Sequence, residues 1–234
     1  MIVTGASGGI GAAIVQTFRD RGYNIVANSR TFLDEQLTPA PNFVLVKGDI
    51  GKRSTAEKIE ETAIATFGSI DHLVNNAGIF ESKPFTEYTG EDFGRFASTN
   101  LEGFIFITQL AVQQMLTQNN GGSVTTITAA LADNPIAGNP ASIPMITKGG
   151  LNAVTLSLAS EYAKKKIRFN AVAPGVVDSP LHKNDDVNYL RTLSPMGAVA
   201  EAKDIADAVL YLAEARFVTG EVLHVDGGAH VGRW

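Results

Sequence analysis

Seven short apolar runs alternate with segments of helical spacing along the whole chain, and this alternation constrains the fold more than any other feature. Most of the runs are nearly continuous stretches of apolar residues and do not alternate with polar ones, which is typical of strands buried on both faces of a parallel sheet. They are Met1–Val3, Asn24–Ala27, Phe43–Val46, His72–Val74, Ser123–Ile127, Arg168–Val172 and Glu221–Val225. We therefore expect one α/β domain over residues 1–234, with a doubly wound parallel sheet and helices on both of its faces.

Three of the intervening segments carry apolar residues on one helical face. A spacing of three and four residues predicts helices that pack against the sheet. No internal repeat, low-complexity tract or linker divides the chain, which favours a single domain. The stripes are Ile10, Ile14, Val15 and Phe18, then Ala56, Ile59, Ala63 and Phe67, then Leu151, Val154, Leu158 and Tyr162.

The composition excludes several classes of protein. With no cysteine among 234 residues, the chain has no disulfide scaffold, thiol nucleophile or Cys-based metal site, and we predict no metal site. A net charge of −5 argues against a nucleic-acid partner, because neutralising phosphates needs a basic surface. No apolar stretch approaches the ~18 residues of a membrane span, and no basic-then-apolar leader opens the sequence. We expect a cytoplasmic protein that contacts no membrane.

A glycine-rich segment, Thr4–Gly11, follows the first predicted strand and opens the first predicted helix. Such a turn lets backbone N–H groups approach a pyrophosphate at the positive N-terminus of a helix. The pattern predicts dinucleotide binding on a Rossmann-type sheet, and the alternative is an ordinary glycine-rich strand–helix turn. The residues that we expect to contact the nucleotide here are Gly5, Ser7, Gly9, Ile10 and Gly11.

The end of the second strand favours NADP over NAD. A site that prefers NAD has a carboxylate there, which hydrogen-bonds the ribose hydroxyls. The segment Asn28–Thr31 contains no acid and instead has Ser29 followed by Arg30. A guanidinium beside hydroxyl groups suits a 2′-phosphate, so we predict that NADPH is preferred over NADH. The alternative is that Arg30 is only a solvated surface charge.

Ordered blocks along the whole chain resemble the short-chain dehydrogenase/reductase family. Besides Thr4–Gly11, these blocks are Asp49-Ile50, Asn75–Gly78, Thr99–Leu101, Lys148–Tyr162 with the lysine opening a helix, Ile167–Pro180 and Gly220–Gly228. The resemblance implies an oxidoreductase that uses a nicotinamide cofactor on a small-molecule substrate.

The resemblance also implies residue roles. Asn100 is similar to the helix asparagine that anchors a water in the family's proton relay, and Lys148 would bind the nicotinamide ribose and lower the pKa of a neighbouring acid. Further cofactor contacts are implied for Asp49 and Ile50 at the adenine, for Asn76, Ala77 and Gly78 along the ribose, and for Pro174, Gly175, Val177 and Ser179 at the nicotinamide carboxamide.

The sequence departs from the family at two proton-handling positions. The family has a tyrosine four residues before the lysine, where this chain has Pro144. The family's serine follows the fifth strand, where this chain has Ala129 beside Thr128. Neither proline nor alanine can give or accept a proton, so only Asn100 and Lys148 remain of four catalytic positions.

Several side chains are candidates for a replacement proton donor. Thr128 adjoins the serine position and is the first candidate, although a capping role fits it equally well. Lys148 could act directly or through a water, because a desolvated ammonium has a lowered pKa. The remaining candidates are Ser142, which is also a plausible N-cap of the helix containing Pro144, together with Thr126, Thr147 and His182.

Two functions from different classes fit these residues. The first is an NADP(H)-dependent oxidoreductase whose substrate needs no strong acid, such as an iminium, a quinone or an activated enone. The second is a catalytically inactive nucleotide-binding sensor or structural protein. A third function, non-redox chemistry on the same fold, is disfavoured. The segment Pro174–Ser179, which resembles a loop that binds the nicotinamide, would then have no role.

The resemblance further implies a homotetramer or a homodimer. Family members associate through the long helices that follow the fourth and fifth strands. This chain has apolar residues in those helices, at Phe104–Ile107 and Val154–Leu158, and a C-terminal Gly232–Trp234 that would pack across a subunit boundary.

Overall fold

Seven parallel strands form one sheet in the order β3-β2-β1-β4-β5-β6-β7. The computed structural model describes residues 1–31 and 40–232. All seven predicted strands are confirmed, with ends that differ from the predicted ends by at most two residues. The strands are β1 (Ile2–Thr4), β2 (Ile25–Ser29), β3 (Phe43–Lys47), β4 (His72–Asn75), β5 (Gly122–Ile127), β6 (Ile167–Pro174) and β7 (Val222–Val225).

Helices cover both faces of the sheet, as the sequence predicts, and each face has its own hydrophobic cluster. One face is covered by α1 (Gly9–Asp20) and α7 (Ala202–Glu214). The other face is covered by α2 (Arg53–Phe67), α4 (Gly103–Gln118) and α5 (Ser142–Tyr162). The shorter helices α3 (Gly90–Phe96) and α6 (Val187–Arg191) lie in connections, and a π-helical stretch, Ala97–Glu102, joins α3 to α4.

The strand order determines where a ligand can bind. From β1 the chain adds β2 and β3 on one side, then returns to place β4 against the other side of β1. In doubly wound sheets the crevice at such a reversal, outside the carboxyl ends of the strands, is the usual ligand site. The carboxyl ends that border this crevice are at Thr4 and Asn75.

The predicted apolar stripe on α5 is partly wrong. Leu151 is buried as expected, but Val154 and Leu158 are only half-buried. The side chains that α5 buries further along are those of Thr155 and Ala159. Leu158 and Tyr162 are half-buried and pack against the hydrophobic cluster on this face of the sheet.

The start of α5 also differs from the prediction. The helix begins at Ser142 with Ala141 as its N-cap, and the exposed Ser142 side chain makes no capping hydrogen bond. Lys148 is therefore the seventh residue of the helix and does not open it. Pro144 still lies in the first turn, where a missing backbone N–H costs little, since those groups have no partner within the helix.

Two further observations concern the ends of the chain and the membrane. Within residues 1–31 and 40–232, no helix combines the length and the apolar character needed to cross a bilayer. The predicted C-terminal contact across a subunit boundary involves residues 233 and 234, which lie outside the described residues.

Candidate functional site

The glycine-rich turn between β1 and α1 has the geometry of a phosphate cradle. Gly5 and Gly9 have φ angles of +66° and +51°, a region that favours glycine. A Cβ atom on Gly11 would lie 2.1 Å from the carbonyl oxygen of Gly5, so no other residue fits there. The turn therefore brings bare backbone to the N-terminus of a 12-residue helix, as pyrophosphate binding requires.

Side chains from two strands hold this turn in place. The hydroxyl oxygen of Thr4 accepts hydrogen bonds from the backbone N–H groups of Asn76 and Ala77, both at 3.1 Å. The amide Nδ2 of Asn76 donates to the carbonyl oxygens of Thr4 and Gly5, at 3.0 and 2.9 Å. The glycine turn is thus fastened to the end of β4, which supplies the residues expected along the cofactor's ribose.

The end of β2 lies beside the same turn. The hydroxyl of Ser29 donates a 2.8 Å hydrogen bond to the hydroxyl of Ser7. The amide of Asn28 donates to the carbonyl oxygens of Val46 and Gly48, which ties β2 to the end of β3. Arg30 is exposed at the rim. Ser7 and Ser29 are therefore brought together, with the guanidinium of Arg30 next along the chain.

Asp49 and Ile50, the two residues predicted at the adenine, have different environments. Asp49 is exposed and accepts a 3.0 Å hydrogen bond from the backbone N–H of Gly51. The side chain of Ile50 is buried in the hydrophobic cluster against Gly103 of α4. Asp49 can present its carboxylate to a ligand, whereas Ile50 can offer only its backbone.

Lys148 and Asn100 converge on Gly78. A Cβ atom on Gly78 would lie 3.2 Å from Nζ of Lys148 and 3.4 Å from Oδ1 of Asn100. Asn100 lies in the π-helical stretch, a feature that often marks functional sites. Its Oδ1 accepts from the N–H of Ile79 at 2.8 Å, and its Nδ2 donates to the carbonyl of Ile79 and to the hydroxyl of Thr147.

The ammonium group of Lys148 is largely shielded from solvent. Its side chain is only 9% exposed, and Nζ donates a 2.7 Å hydrogen bond to the carbonyl oxygen of Ile127 at the end of β5. No carboxylate forms an ion pair with it within the described part of the chain. Burial lowers the pKa of Lys148 to about 8, because removal from water disfavours the charged form.

The two positions at which the sequence predicts a departure from the family are Ala129 and Pro144. Ala129 follows β5 in an extended conformation, with φ −162° and ψ 137°. Pro144 is the buried third residue of α5, one helical turn before Lys148. Neither side chain carries a group that can donate a hydrogen bond.

The predicted nicotinamide loop, residues 174–179, ends beside the glycine-rich turn. Gly175 follows the last residue of β6, Pro174, and its N–H donates to the carbonyl oxygen of Val225 at 3.0 Å. Val177 is buried and forms a bridge with Ala200. Further along, the side chain of Ser179 lies 3.3 Å from where a Cβ on Gly9 would stand.

An open groove of about 800 Å³ lies between the glycine turn and the segment after β6. Gly9, Ser179, Leu190 and Arg191 contribute to its walls. His182 also lines the groove, and its ring shares a 2.7 Å hydrogen bond with Asp185. The structure therefore places His182 outside the cluster of Lys148, Asn100 and Gly78.

A polar network that the sequence did not reveal lies at the ends of β5 and β7. Nδ2 of Asn152 donates to both carboxylate oxygens of Asp133, at 3.4 and 3.2 Å. Asp133 shares a 3.1 Å hydrogen bond with His224, whose ring stacks on that of His230 with centroids 4.0 Å apart. His230 in turn shares a 2.9 Å hydrogen bond with the buried carboxylate of Asp226.

This network joins segments that are far apart in the sequence. It links α5, one turn beyond Lys148, to the segment that follows Ala129 and to the short 3₁₀ turn Ala229–Val231. Asp133 and His224 are 91 residues apart in sequence, so no local pattern connects them. The only signal available to sequence reasoning was a histidine inside the otherwise apolar strand β7.

Known proteins share this architecture from end to end. A family model described as Enoyl-(Acyl carrier protein) reductase matches residues 5–230. A tropinone reductase homologue of Arabidopsis thaliana is 36% identical over an alignment of 241 positions, which covers 97% of this chain and 91% of the relative.

Solved structures superpose equally well. The 3-ketoacyl-(acyl-carrier-protein) reductase from Brucella melitensis, complexed with NADH, has a TM-score of 0.90 at 27% identity and covers 98% of this chain and 97% of its own. ElxO with NADP bound has a TM-score of 0.90 at 28% identity, with coverage of 99% and 98%.

The fold and the site define an α/β protein with a glycine-rich cradle at the reversal point of a parallel sheet. Together with the full-length matches, they show that the chain belongs to the short-chain dehydrogenase/reductase family, a family of oxidoreductases. The family assignment from the sequence is confirmed. The roles of the individual site residues stay predictions.

Proposed function

We propose that this protein is an NADP(H)-dependent oxidoreductase with an atypical active site. The observation that carries the proposal is the convergence of Lys148 and Asn100 on Gly78, beside the glycine-rich turn. The turn fits a dinucleotide, because the glycines at positions 5, 9 and 11 hold backbone without side chains at the N-terminus of α1. When bound, NADPH supplies a hydride at the nicotinamide ring.

In this proposal the chain's own residues bind and orient the cofactor. The turn Gly5–Gly11 binds the pyrophosphate through backbone N–H groups. Asp49 and the backbone at Ile50 hold the adenine, while Asn76, Ala77 and Gly78 follow the ribose. Pro174, Gly175, Val177 and Ser179 orient the carboxamide. Lys148 binds the nicotinamide ribose, and Asn100 is held by the Ile79 backbone and Thr147 at the same end of the cleft.

The preference for NADP over NAD rests on the end of β2. A strand that ends in Ser29 and Arg30 lacks the carboxylate that would bind a ribose 2′-hydroxyl and repel a 2′-phosphate. The exposed Arg30 guanidinium can form a bidentate, charge-assisted contact with a phosphate. ElxO, a structural neighbour, binds NADP, whereas the Brucella reductase was solved with NADH, so the fold alone does not choose between them.

The substrate is a small molecule whose reduction needs no strong acid. Pro144 and Ala129 stand where the family has its tyrosine and serine, and neither can donate a proton. An iminium, a quinone or an activated enone develops little oxyanion charge when it accepts a hydride. Ordinary ketones are therefore poor substrates for this site.

We further propose a cytoplasmic homotetramer, with a homodimer as the alternative. Large apolar side chains are exposed on α4 and α5, the two helices through which the resemblance implies subunit association. They are Ile105 and Leu116 on α4 and Ile146 and Leu156 on α5. Apolar surface of this kind on two neighbouring long helices fits a subunit contact.

Cofactor titration followed by a turnover screen tests the proposed function. We expect NADPH to bind more tightly than NADH, and we expect NADPH oxidation with quinones, imines or enones but little with simple ketones. Tight NADPH binding without turnover of any compound would favour the second candidate, a nucleotide-binding sensor or structural protein. The absence of a proton donor at Pro144 and Ala129 is the observation that keeps this candidate open.

A further inference from the structure

The hydroxyl groups that the sequence nominated as replacement acids are engaged or badly placed. The hydroxyl of Thr128 points back at β6, where it donates to the carbonyl oxygen of Val172 at 3.3 Å. The hydroxyl of Thr147 is fully buried, donates to the carbonyl of Pro144 at 2.7 Å and accepts from Asn100. Thr126 is buried within β5, and Ser142 is exposed at the start of α5.

Lys148 differs from these residues because its ammonium group has N–H donors that no acceptor in the described chain uses. An ammonium has three N–H donors, and among the described residues one of them bonds the carbonyl oxygen of Ile127. One donor can therefore bind the ribose and one remains for a substrate. Its Nζ also lies against Gly78, beside the cradle where the proposed cofactor would bind. Burial without a carboxylate partner lowers its pKa to about 8, which brings the ammonium closer to the acidity that proton transfer near neutral pH requires.

We infer that Lys148 is itself the proton donor to the reduced substrate, in place of the missing tyrosine. The inference rests on the proposed function. In the step, the carbon of a neutral imine or the β-carbon of an activated enone accepts a hydride from the reduced nicotinamide, and the π-bond electron pair moves to the nitrogen or, through the conjugated system, to the carbonyl oxygen. That atom takes a proton from Nζ of Lys148, which becomes a neutral amine. A proton from water then restores the ammonium.

The first test does not depend on turnover. Cofactor-free protein is labelled with a trace of acetic anhydride between pH 6 and 11, and the extent of reaction at each lysine is read by mass spectrometry. Each lysine is normalised to its own plateau, so that limited access does not matter, and exposed Lys165 is the internal reference. We expect the midpoint for Lys148 near pH 8. A midpoint above pH 10 would overturn the inference whatever the protein catalyses.

The second test uses turnover and chemical rescue. Lys148→Ala should lower the rate of NADPH oxidation by about 10²–10⁴-fold, the usual effect of losing a general acid. Methylammonium or ethylammonium should restore part of the rate, and the restored rate should follow the acidity of the amine that is added. Lys148→Arg, which keeps a positive charge but cannot release a proton near neutral pH, should be as slow as Lys148→Ala.

Binding must be separated from proton transfer in these variants. The Kd for NADPH is measured for each by titration, and Lys165→Ala is the matched control, with unchanged turnover expected. A rate loss explained wholly by weaker NADPH binding, a fully active Lys148→Arg, or no amine rescue would each overturn the inference and leave the proposed function intact. Tight NADPH binding without turnover of any carbonyl or imine would overturn both.

Discussion

Replacing Pro144 with tyrosine and Ala129 with serine should create a ketone reductase. Pro144 lies four residues before Lys148, a rise of ~6 Å along α5, so a tyrosine there projects from the same face of the helix. The proline donates no backbone hydrogen bond, and the carbonyl that accepts from Thr147 is retained in the variant. The helix should therefore tolerate the change, and the nearby ammonium of Lys148 should favour phenolate.

The expected gain follows from the usual effect of a general acid. A positioned acid contributes ~10²–10⁴-fold, which corresponds to ~3–5 kcal/mol of activation free energy at ~1.4 kcal/mol per tenfold change in rate. The assay is NADPH oxidation at 340 nm with simple ketones, followed as kcat/KM. Ser142→Tyr is a matched control, because it places the same phenol at an exposed position in the same helical turn. Lys148→Met in the double variant should abolish the gain.

Two results would refute this reasoning. Strong ketone reduction by the unmodified protein would mean that proton delivery is already efficient without a tyrosine. A double variant that still binds NADPH but gains no activity would mean that Pro144 and Ala129 do not occupy the family's catalytic positions.

Three further predictions test the cofactor site and the assembly. Arg30→Ala should weaken NADPH binding at least tenfold, since losing a charge-assisted contact costs ~1.5–3 kcal/mol, and leave NADH nearly unchanged; equal weakening in calorimetric titrations of both would contradict the NADP assignment. Gly11→Ala should abolish binding of both cofactors, because its Cβ would lie 2.1 Å from the carbonyl oxygen of Gly5. The control is Gly150→Ala, at a helical position with open space around it. This variant should bind both cofactors normally and have a slightly higher melting temperature, because alanine favours a helix more than glycine does. Light scattering should give about 99 kDa, four times the 24.8 kDa chain, and a value of about 25 kDa at micromolar concentration would rule out the homotetramer.

The sheet could be predicted from the sequence because its strands are buried on both faces. In β2 all five residues, Ile25–Ser29, are buried, so the strand appears in the sequence as a run bounded by polar residues. The glycine-rich turn could also be predicted from the sequence. A position such as Gly11, where a Cβ would meet backbone, leaves a glycine at a fixed spacing from the strand.

Features that depend on distant contacts could not be predicted. On α5 the apolar spacing predicts that Val154 and Leu158 face the sheet, but the fully buried side chains there are those of Thr155 and Ala159, and Val154 and Leu158 are half-buried. Spacing alone does not show which of two apolar stripes on one helix faces its own sheet.

The sequence names candidate site residues but does not predict how their side chains are arranged. The sequence nominated Thr128 as a proton donor from its position next to Ala129. The hydrogen bond from its hydroxyl to Val172 depends on how β5 pairs with β6. The network of Asp133, His224 and His230 was missed for a similar reason, since its members come from segments that meet only after the sheet has formed.

Lys148 should reduce the stability of the cofactor-free protein, and the sign of its pKa shift gives the pH range. Its pKa falls from 10.5 to about 8 on folding, so the unfolded chain binds the proton more tightly between those values. The charged form therefore costs roughly 3 kcal/mol below pH 8, and the free energy of unfolding should rise as the pH increases from 8 to 10.5.

Lys148→Met removes this cost but leaves the carbonyl of Ile127 without its 2.7 Å hydrogen bond, a loss of about 1 kcal/mol. The variant should thus be about 2 kcal/mol more stable than the parent in urea denaturation at pH 7, and its stability should no longer rise between pH 8 and 10.5. An unchanged or lower stability at pH 7 would contradict the desolvation argument. A chain that retains a destabilising buried lysine where methionine would fit gives up stability for function, which is the trade-off expected of an active site.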